Sequence, residues 1–162
     1  MNATLQVHSE PLTLRARTAA DLMAPNPVSL RADATVAEAL QFFTTKGITA
    51  APVIDDAGHP IGVLSRSDLL VHQREMTAHP PDHAGYYHDV NLKASTRTAA
   101  DSEQATVAEL MTPAVFSVAP DTPARRVVEE MLALHVHRMF VVDDNGFLVG
   151  VVSAMDVLRH LE

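Results

Sequence analysis

The chain of 162 residues contains no cysteine, which excludes a disulfide framework, thiolate metal sites and a cysteine nucleophile. Basic charge is scarce as well: 12 lysines and arginines face 20 acids, for a formal net charge of −8. They form no basic run, so the electrostatic footprint of a nucleic-acid binder is missing. No apolar run approaches the roughly 18 residues that a membrane span needs. The polar start MNATLQVHSEPLTLRAR lacks the apolar centre of a signal peptide, and the expected location is the cytoplasm. Enzyme signatures are missing too, because there is neither a Gly-x-Ser-x-Gly elbow nor a Gly-x4-Gly-Lys phosphate loop. The expectation is therefore a protein that is not an enzyme. With 47% hydrophobic residues, the chain has material for a globular core near the size of one domain.

What the chain does contain is a copy of itself. Sliding the sequence by 88 residues, as from Met23 to Met111, aligns residues 18–70 with 106–158. Identical pairs include Thr18/Thr106, Leu22/Leu110, Met23/Met111, Pro25/Pro113, Ser29/Ser117 and Asp33/Asp121. They continue through Asp55/Asp143, Gly58/Gly146, Gly62/Gly150, Val63/Val151, Ser65/Ser153 and Asp68/Asp156. A repeat of this length is one supersecondary unit that cannot bury its apolar face alone. Two copies are expected to pack around a pseudo-two-fold axis and to leave clefts where small ligands bind.

The pattern inside each copy predicts β-α-β-β-α. Thr18-x-x-Asp21 and Thr106-x-x-Glu109 fit capping boxes that open short helical turns. Short strands follow at 27–30 and 115–118. Thr35-x-x-Glu38 caps the next helix, and Pro123 suits the first turn of its counterpart. Both helices are expected to stop near Gly47 and His135, ahead of strands at 51–54 and 139–142. Asp55-Asp-Ala-Gly58 and Asp143-Asp-Asn-Gly146 supply tight turns into second strands at 60–64 and 147–152. Ser65-x-x-Asp68 and Ser153-x-x-Asp156 then open the final helices. The organisation expected is an N-terminal extension (1–17), a first repeat (18–71), a connection (72–105) and a second repeat (106–162).

The tandem order of Met-x-Pro, strand, helix, apolar strand ending in Asp, Gly-containing turn and Gly-Val-x-Ser-x-x-Asp resembles a pair of cystathionine β-synthase (CBS) domains, the Bateman module. The fold class this implies is α/β (α+β), two pseudo-symmetric repeats packed as one module. The resemblance further implies a regulatory protein that binds AMP, ADP, ATP, S-adenosylmethionine or a related adenosyl ligand in the inter-repeat cleft and acts by a change of shape or partner affinity, without a resident cofactor.

Carried over residue by residue, the ribose-phosphate segment falls on Ser65, Arg66 and Asp68 in the first copy and on Ser153 and Asp156 in the second. A glycine near the strand end, Gly62 or Gly150, is expected to leave room for a ligand. Hydroxyl and N–H groups at a helix start face an anion, and the acid accepts from ribose hydroxyls. The same Ser-x-x-Asp is also a plain capping box. His137 and Arg138 match the pair that reaches phosphate, for which a planar guanidinium is suited. At the matching offset the first copy has Thr49 and Ala50, with Arg66 as its possible substitute cation. Ala51, Pro52, Met139 and Phe140 would wall the adenine pocket, although apolar strand residues are also ordinary core. Ser29 and Ser117 would offer a hydrogen bond to the base edge.

A homodimer is the expected assembly, with an unidentified protein target and neither nucleic acid nor membrane as partner. Two rivals stand beside this reading. One is an interaction module with empty clefts. The other is a metal-binding protein using His72, His79, His83 and His88 of the connection, which is disfavoured because Pro80-Pro81 breaks the helical spacing of His79 and His83. Tyr86 and Tyr87, the only tyrosines, suggest an anchoring contact.

Overall fold

The structure, a computed structural model, describes residues 11–77 and 104–162. The elements in chain order are α1 (Ala19–Leu22), β1 (Ala24–Pro25), β2 (Leu30–Arg31), α2 (Val36–Lys46), β3 (Ala50–Ile54), β4 (Pro60–Ser65) and α3 (Arg66–Thr77). They are followed by α4 (Val107–Leu110), β5 (Ser117–Val118), α5 (Ala124–Ala133), β6 (Arg138–Val142), β7 (Leu148–Ser153) and α6 (Ala154–Arg159). The chain divides into two compact units. A C-terminal unit gathers the described residues up to Pro27 with Phe116–Glu162, and a central unit comprises Val28–Val115.

Local chemistry accounts for most of these elements. Thr35 caps α2 through a reciprocal box with Glu38, and Gly47 ends that helix at φ 64°, a left-handed conformation that glycine adopts without strain. His135 takes the corresponding role after α5 with φ 55°. The hairpin turns close through Asp55 and Asp143, whose Oδ1 atoms accept N–H groups two and four residues on. That is the short-range bonding for which aspartate is favoured in turns.

In the central unit the sheet order is β2-β3-β4, with β2 parallel and β4 antiparallel to β3. Leu30, Ala39, Phe43, Ala51, Val53, Leu64, Leu69 and Val107 form its core. The C-terminal unit repeats this arrangement as β5-β6-β7 and adds β1 on the far edge of β7. Its core is Ala19, Leu22, Val118, Ala124, Val127, Met131, Met139, Val141 and Val152. Alternation along a strand sends Met139 and Val141 into this core and Phe140 to the opposite face.

Each compact unit takes its opening segment from the other copy of the repeat. The Arg17 carbonyl accepts the first N–H of α5, from Ala124, and the Ala105 carbonyl accepts that of α2, from Val36. Ala19 N–H donates to Thr122, and Val107 N–H donates to Ala34. Ala24 and Pro25 pair with Val151 and Gly150, while Thr112 bridges Val63. The Arg17–Ala124, Ala19–Thr122 and Ala24–Val151 contacts of the C-terminal unit thus have counterparts 88 residues away in Ala105–Val36, Val107–Ala34 and Thr112–Val63 of the central one. At the chain ends, Leu14 pairs with Leu161 and Arg15 forms an ion pair with Glu162.

The first strands are shorter than the sequence suggests, and they start one residue apart in the aligned copies. Phe140 N–H donates to the Phe116 carbonyl at 2.8 Å, which opens the β5/β6 ladder at Ser117. The aligned residue in the central unit is Pro52, which has no N–H. There the ladder opens at Leu30 opposite Val53 and runs on to Ala32, whose N–H reaches the Ile54 carbonyl at 3.1 Å. Pro120, aligned with Ala32, cannot make that last bond.

Candidate functional site

In the C-terminal unit, β6 and α6 bring together four of the residues singled out by sequence. The antiparallel register sets Arg138 directly opposite Ser153. The His137 carbonyl accepts the first N–H of α6, from Ala154, at 3.0 Å. Both His137 and Arg138 are exposed, and their backbone lies beside the start of the helix that carries Asp156.

Ser153 and Asp156 form a complete capping box. Asp156 Oδ2 accepts from Ser153 N–H at 2.8 Å and from its Oγ at 2.6 Å, and the hydroxyl in turn accepts from Asp156 N–H at 3.2 Å. Among the described residues Oδ1 takes one donor, the Arg159 guanidinium at 3.3 Å. One carboxylate oxygen therefore serves the helix cap, and the other accepts from the exposed Arg159 side chain. Ser65 and Asp68 repeat the box in the central unit, with Oδ2 bonds of 2.7 Å from both N–H and Oγ.

The central unit lacks the cationic pair. Thr49, aligned with His137, gives its carbonyl to Arg66 N–H at 2.9 Å. The Arg66 guanidinium turns back to the Phe43 carbonyl in the last turn of α2, at 3.4 Å. That suits a cation near a helix C-terminus and directs it to the helix end.

The expected pocket walls divide between core and edge. Met139 and Ala51, 1% and 2% exposed, belong to the cores of their units. Phe140 and Pro52 are buried on the other face of their strands. Ser117 is exposed at the start of β5 opposite Phe140, and Ser29 is half-buried just before β2. An open groove of about 340 Å³ runs from Ser117 and Val118 along the first turns of α5, past Thr122, Pro123, Arg126 and Glu130. Arg126 Nε bonds Glu130 Oε1 at 2.9 Å along the same helix. Nothing in the repeat pointed to these helix residues, because Arg126 aligns with Glu38.

One expectation is corrected. Gly62 and Gly150 do not leave room for a ligand: the space beside each is filled by a methionine from the exchanged segment, Met111 and Met23 respectively. The connection histidines His79, His83 and His88 lie outside the described residues, as do Tyr86 and Tyr87. His72 lies half-buried on α3. Among the described residues no group of three or more His, Asp or Glu is placed to hold a metal, and no helix is long and apolar enough to cross a membrane.

Two β-α-β-β-α units, each with its Ser-x-x-Asp box at the last helix start and its opening segment exchanged, define a tandem-repeat module. The CBS domain profile matches residues 19–75 and 107–162, and the chain belongs to that family. Among its relatives, the γ subunit of 5'-AMP-activated protein kinase from Kluyveromyces lactis is 26% identical over 140 residues, 84% of this chain and 37% of that protein. The magnesium transporter MgtE of Thermus thermophilus is 33% identical over 149 residues, 89% of this chain and 27% of the transporter. The chain thus spans well under half the length of either. In structure it is similar to CBSX2 in complex with AMP, with TM-score 0.66, 26% identity and coverage of 89% of this chain and 95% of that one. It is also similar to the cytosolic domain of the Mg2+ channel MgtE in complex with ATP, with TM-score 0.64, 30% identity and coverage of 90% and 49%.

Proposed function

We propose that this chain is a regulatory CBS pair that binds an adenine nucleotide, with the phosphates held by His137 and Arg138. The observation that carries this reading is the juxtaposition of an exposed His-Arg pair with the start of α6, where Arg138 stands opposite Ser153 in the ladder. The Arg138 guanidinium and the His137 imidazole then act on the same anion, and Asp156 Oδ1 accepts from the ribose hydroxyls. CBSX2 and MgtE, solved with AMP and ATP, support adenine nucleotides as the ligand class. Binding shifts the protein between two shapes only by as much as its affinity for them differs. The test is calorimetry on protein stripped of bound ligand, titrated with AMP, ADP, ATP and S-adenosylmethionine. Saturable heat with at least one supports the reading, and none at millimolar concentration ends it.

A homodimer accompanies the proposal, because Leu70 and Val71 on α3 and Met155 and Leu158 on α6 are all more than half exposed. Apolar positions turned outward at helical spacing favour burial against a second copy. A module that dimerises with no ligand would keep this interface and show no nucleotide heat.

A further inference from the structure

In the C-terminal unit α6 has only six residues, Ala154–Arg159, and none of them is fully buried. Its side chains Ala154 and Val157 pack partly buried against the core. The aligned helix of the central unit, α3, runs for twelve residues. A helix as short as α6 does not hold itself together in water, and both of its ends are tied. The Ser153/Asp156 box closes the start. Residues 13–15 close the end by pairing antiparallel with 160–162 of the same unit. Thr13 N–H donates to the Glu162 carbonyl at 2.6 Å, Glu162 N–H returns to the Thr13 carbonyl at 3.0 Å, and Arg15 N–H reaches the His160 carbonyl at 2.9 Å. The Arg15 guanidinium pairs with the Glu162 carboxylate, and Leu14 packs against the same core as Val157. His160 joins the two ties, because its Nδ1 donates to the Asp156 carbonyl at 2.8 Å while its own carbonyl takes Arg15.

We propose that residues 13–15 are a strap that senses ligand at Asp156; the inference rests on the nucleotide reading above. A ribose held by the Asp156 carboxylate and a strap paired to 160–162 stabilise the same six-residue helix from its two ends. Each therefore favours the formed, docked α6, and that shared preference is a positive coupling between ligand and strap. Thr13, Arg15 and Glu162 are all exposed, and pairings of this kind open locally at the least cost. Nucleotide keeps the strap closed on α6, and its departure lets the strap open more often. The N-terminal segment is thus the element that reports occupancy of the site.

The experiment reads the coupling in both directions on protein stripped of ligand. Calorimetry with AMP, or with whichever of ADP, ATP and S-adenosylmethionine gives heat in its place, compares the wild type with Arg15→Pro. Proline withholds the N–H from His160 and removes the guanidinium from Glu162, and affinity should fall by about fivefold or more. Hydrogen exchange on the wild type, read at the amides of Thr13, Arg15 and Glu162, should slow by about fivefold or more when the same nucleotide saturates, since coupling is reciprocal. This second measurement serves should Arg15→Pro fail to fold. The Gly58 amide, in the hairpin turn of the central unit, should not follow. Affinity within about twofold of wild type in a folded Arg15→Pro, or strap amides slowed no more than Gly58 with nucleotide bound, overturns the inference and keeps the nucleotide site. No heat from any of the four nucleotides overturns the site and the inference together.

Discussion

Met111 occupies the space beside Gly62, so that its Sδ lies 2.8 Å from the point where a Cβ on that glycine would stand, and the Thr112 carbonyl lies 2.6 Å from it. Met23 stands in the same relation to Gly150. The duplicated Met and Gly are thus a lock between an exchanged segment and the hairpin strand it crosses. Gly62→Ala should cost about 1–3 kcal/mol by overpacking against a backbone oxygen that cannot rotate away. At Gly150 the atoms nearest the new methyl are all in the Met23 side chain, so the cost of Gly150→Ala should shrink in a Met23→Ala background. Urea midpoints for the four proteins of that cycle give the coupling, and strictly additive costs would remove the lock.

The asymmetry of charge between the copies sets an expectation for affinity. A charge-assisted hydrogen bond is worth about 1.5 to 3 kcal/mol, so Arg138→Ala should weaken nucleotide binding roughly ten- to a hundredfold. His137→Ala should act in the same direction. Arg66→Ala should have little effect on affinity, because that guanidinium turns to the Phe43 carbonyl. Unchanged binding in Arg138→Ala would preserve a ligand and discard this position for it.

Capping and ligand contact at α6 can be separated. Ser153→Ala removes the hydroxyl that caps the helix and should cost about 1 kcal/mol of stability with a smaller effect on affinity. Asp156→Ala removes the cap and also Oδ1, which accepts from Arg159, and should lose both stability and nucleotide affinity. Denaturation and calorimetry on the same two proteins decide the matter. Parallel losses of affinity in both would assign Asp156 to the cap alone.

Acid stability should depend on two turn and cap aspartates. Asp21 is held below its ordinary value near 3.8 by N–H groups of Arg17 and then Thr18, and Asp55 by the N–H of His59 and then that of Ala57. A carboxylate with a lowered folded pKa stabilises the fold fully above its unfolded value and ceases to do so as pH falls through the folded one. These two groups should therefore contribute nothing to any change between pH 7 and 5 and should begin to weaken the fold below about pH 4. Asp55→Asn, which cannot titrate, should narrow the difference in urea midpoint between pH 5 and 3. An equal difference in the variant would exclude Asp55 as a contributor.

The dimer expectation rests on α3 and α6. Leu70→Lys combined with Leu158→Lys should shift the protein to monomer in light scattering at micromolar concentration. A wild-type monomer over that range would refute the interface.

Much of the fold was legible because its determinants are local. Thr35 and Glu38, Ser153 and Asp156, and the Asp-x-x-Gly turns each form their bonds within four residues, so spacing along the chain is enough to place helix starts and hairpins. The candidate site was legible in the same measure. Arg138 and Ser153 face each other because a hairpin with a known turn fixes its own register. The start of the first strand was not, since Pro52 shifts that of β2 by one residue in withholding an N–H from a residue 24 positions earlier, a pairing the chain alone does not specify.

The sequence by itself determined that there are two copies, what elements each contains, and that only the second carries the cationic pair. Only the tertiary structure decided which copy supplies the opening segment of each unit. An offset of 88 residues is the same whether Met23 packs on Gly62 or on Gly150, because the two glycines sit in aligned strands with the same neighbours. Self-similarity therefore leaves the choice open, and it falls to three-dimensional packing, in which α1 joins the core of Val127, Met139 and Val152 while Val107 of α4 joins that of Phe43, Val53 and Leu64.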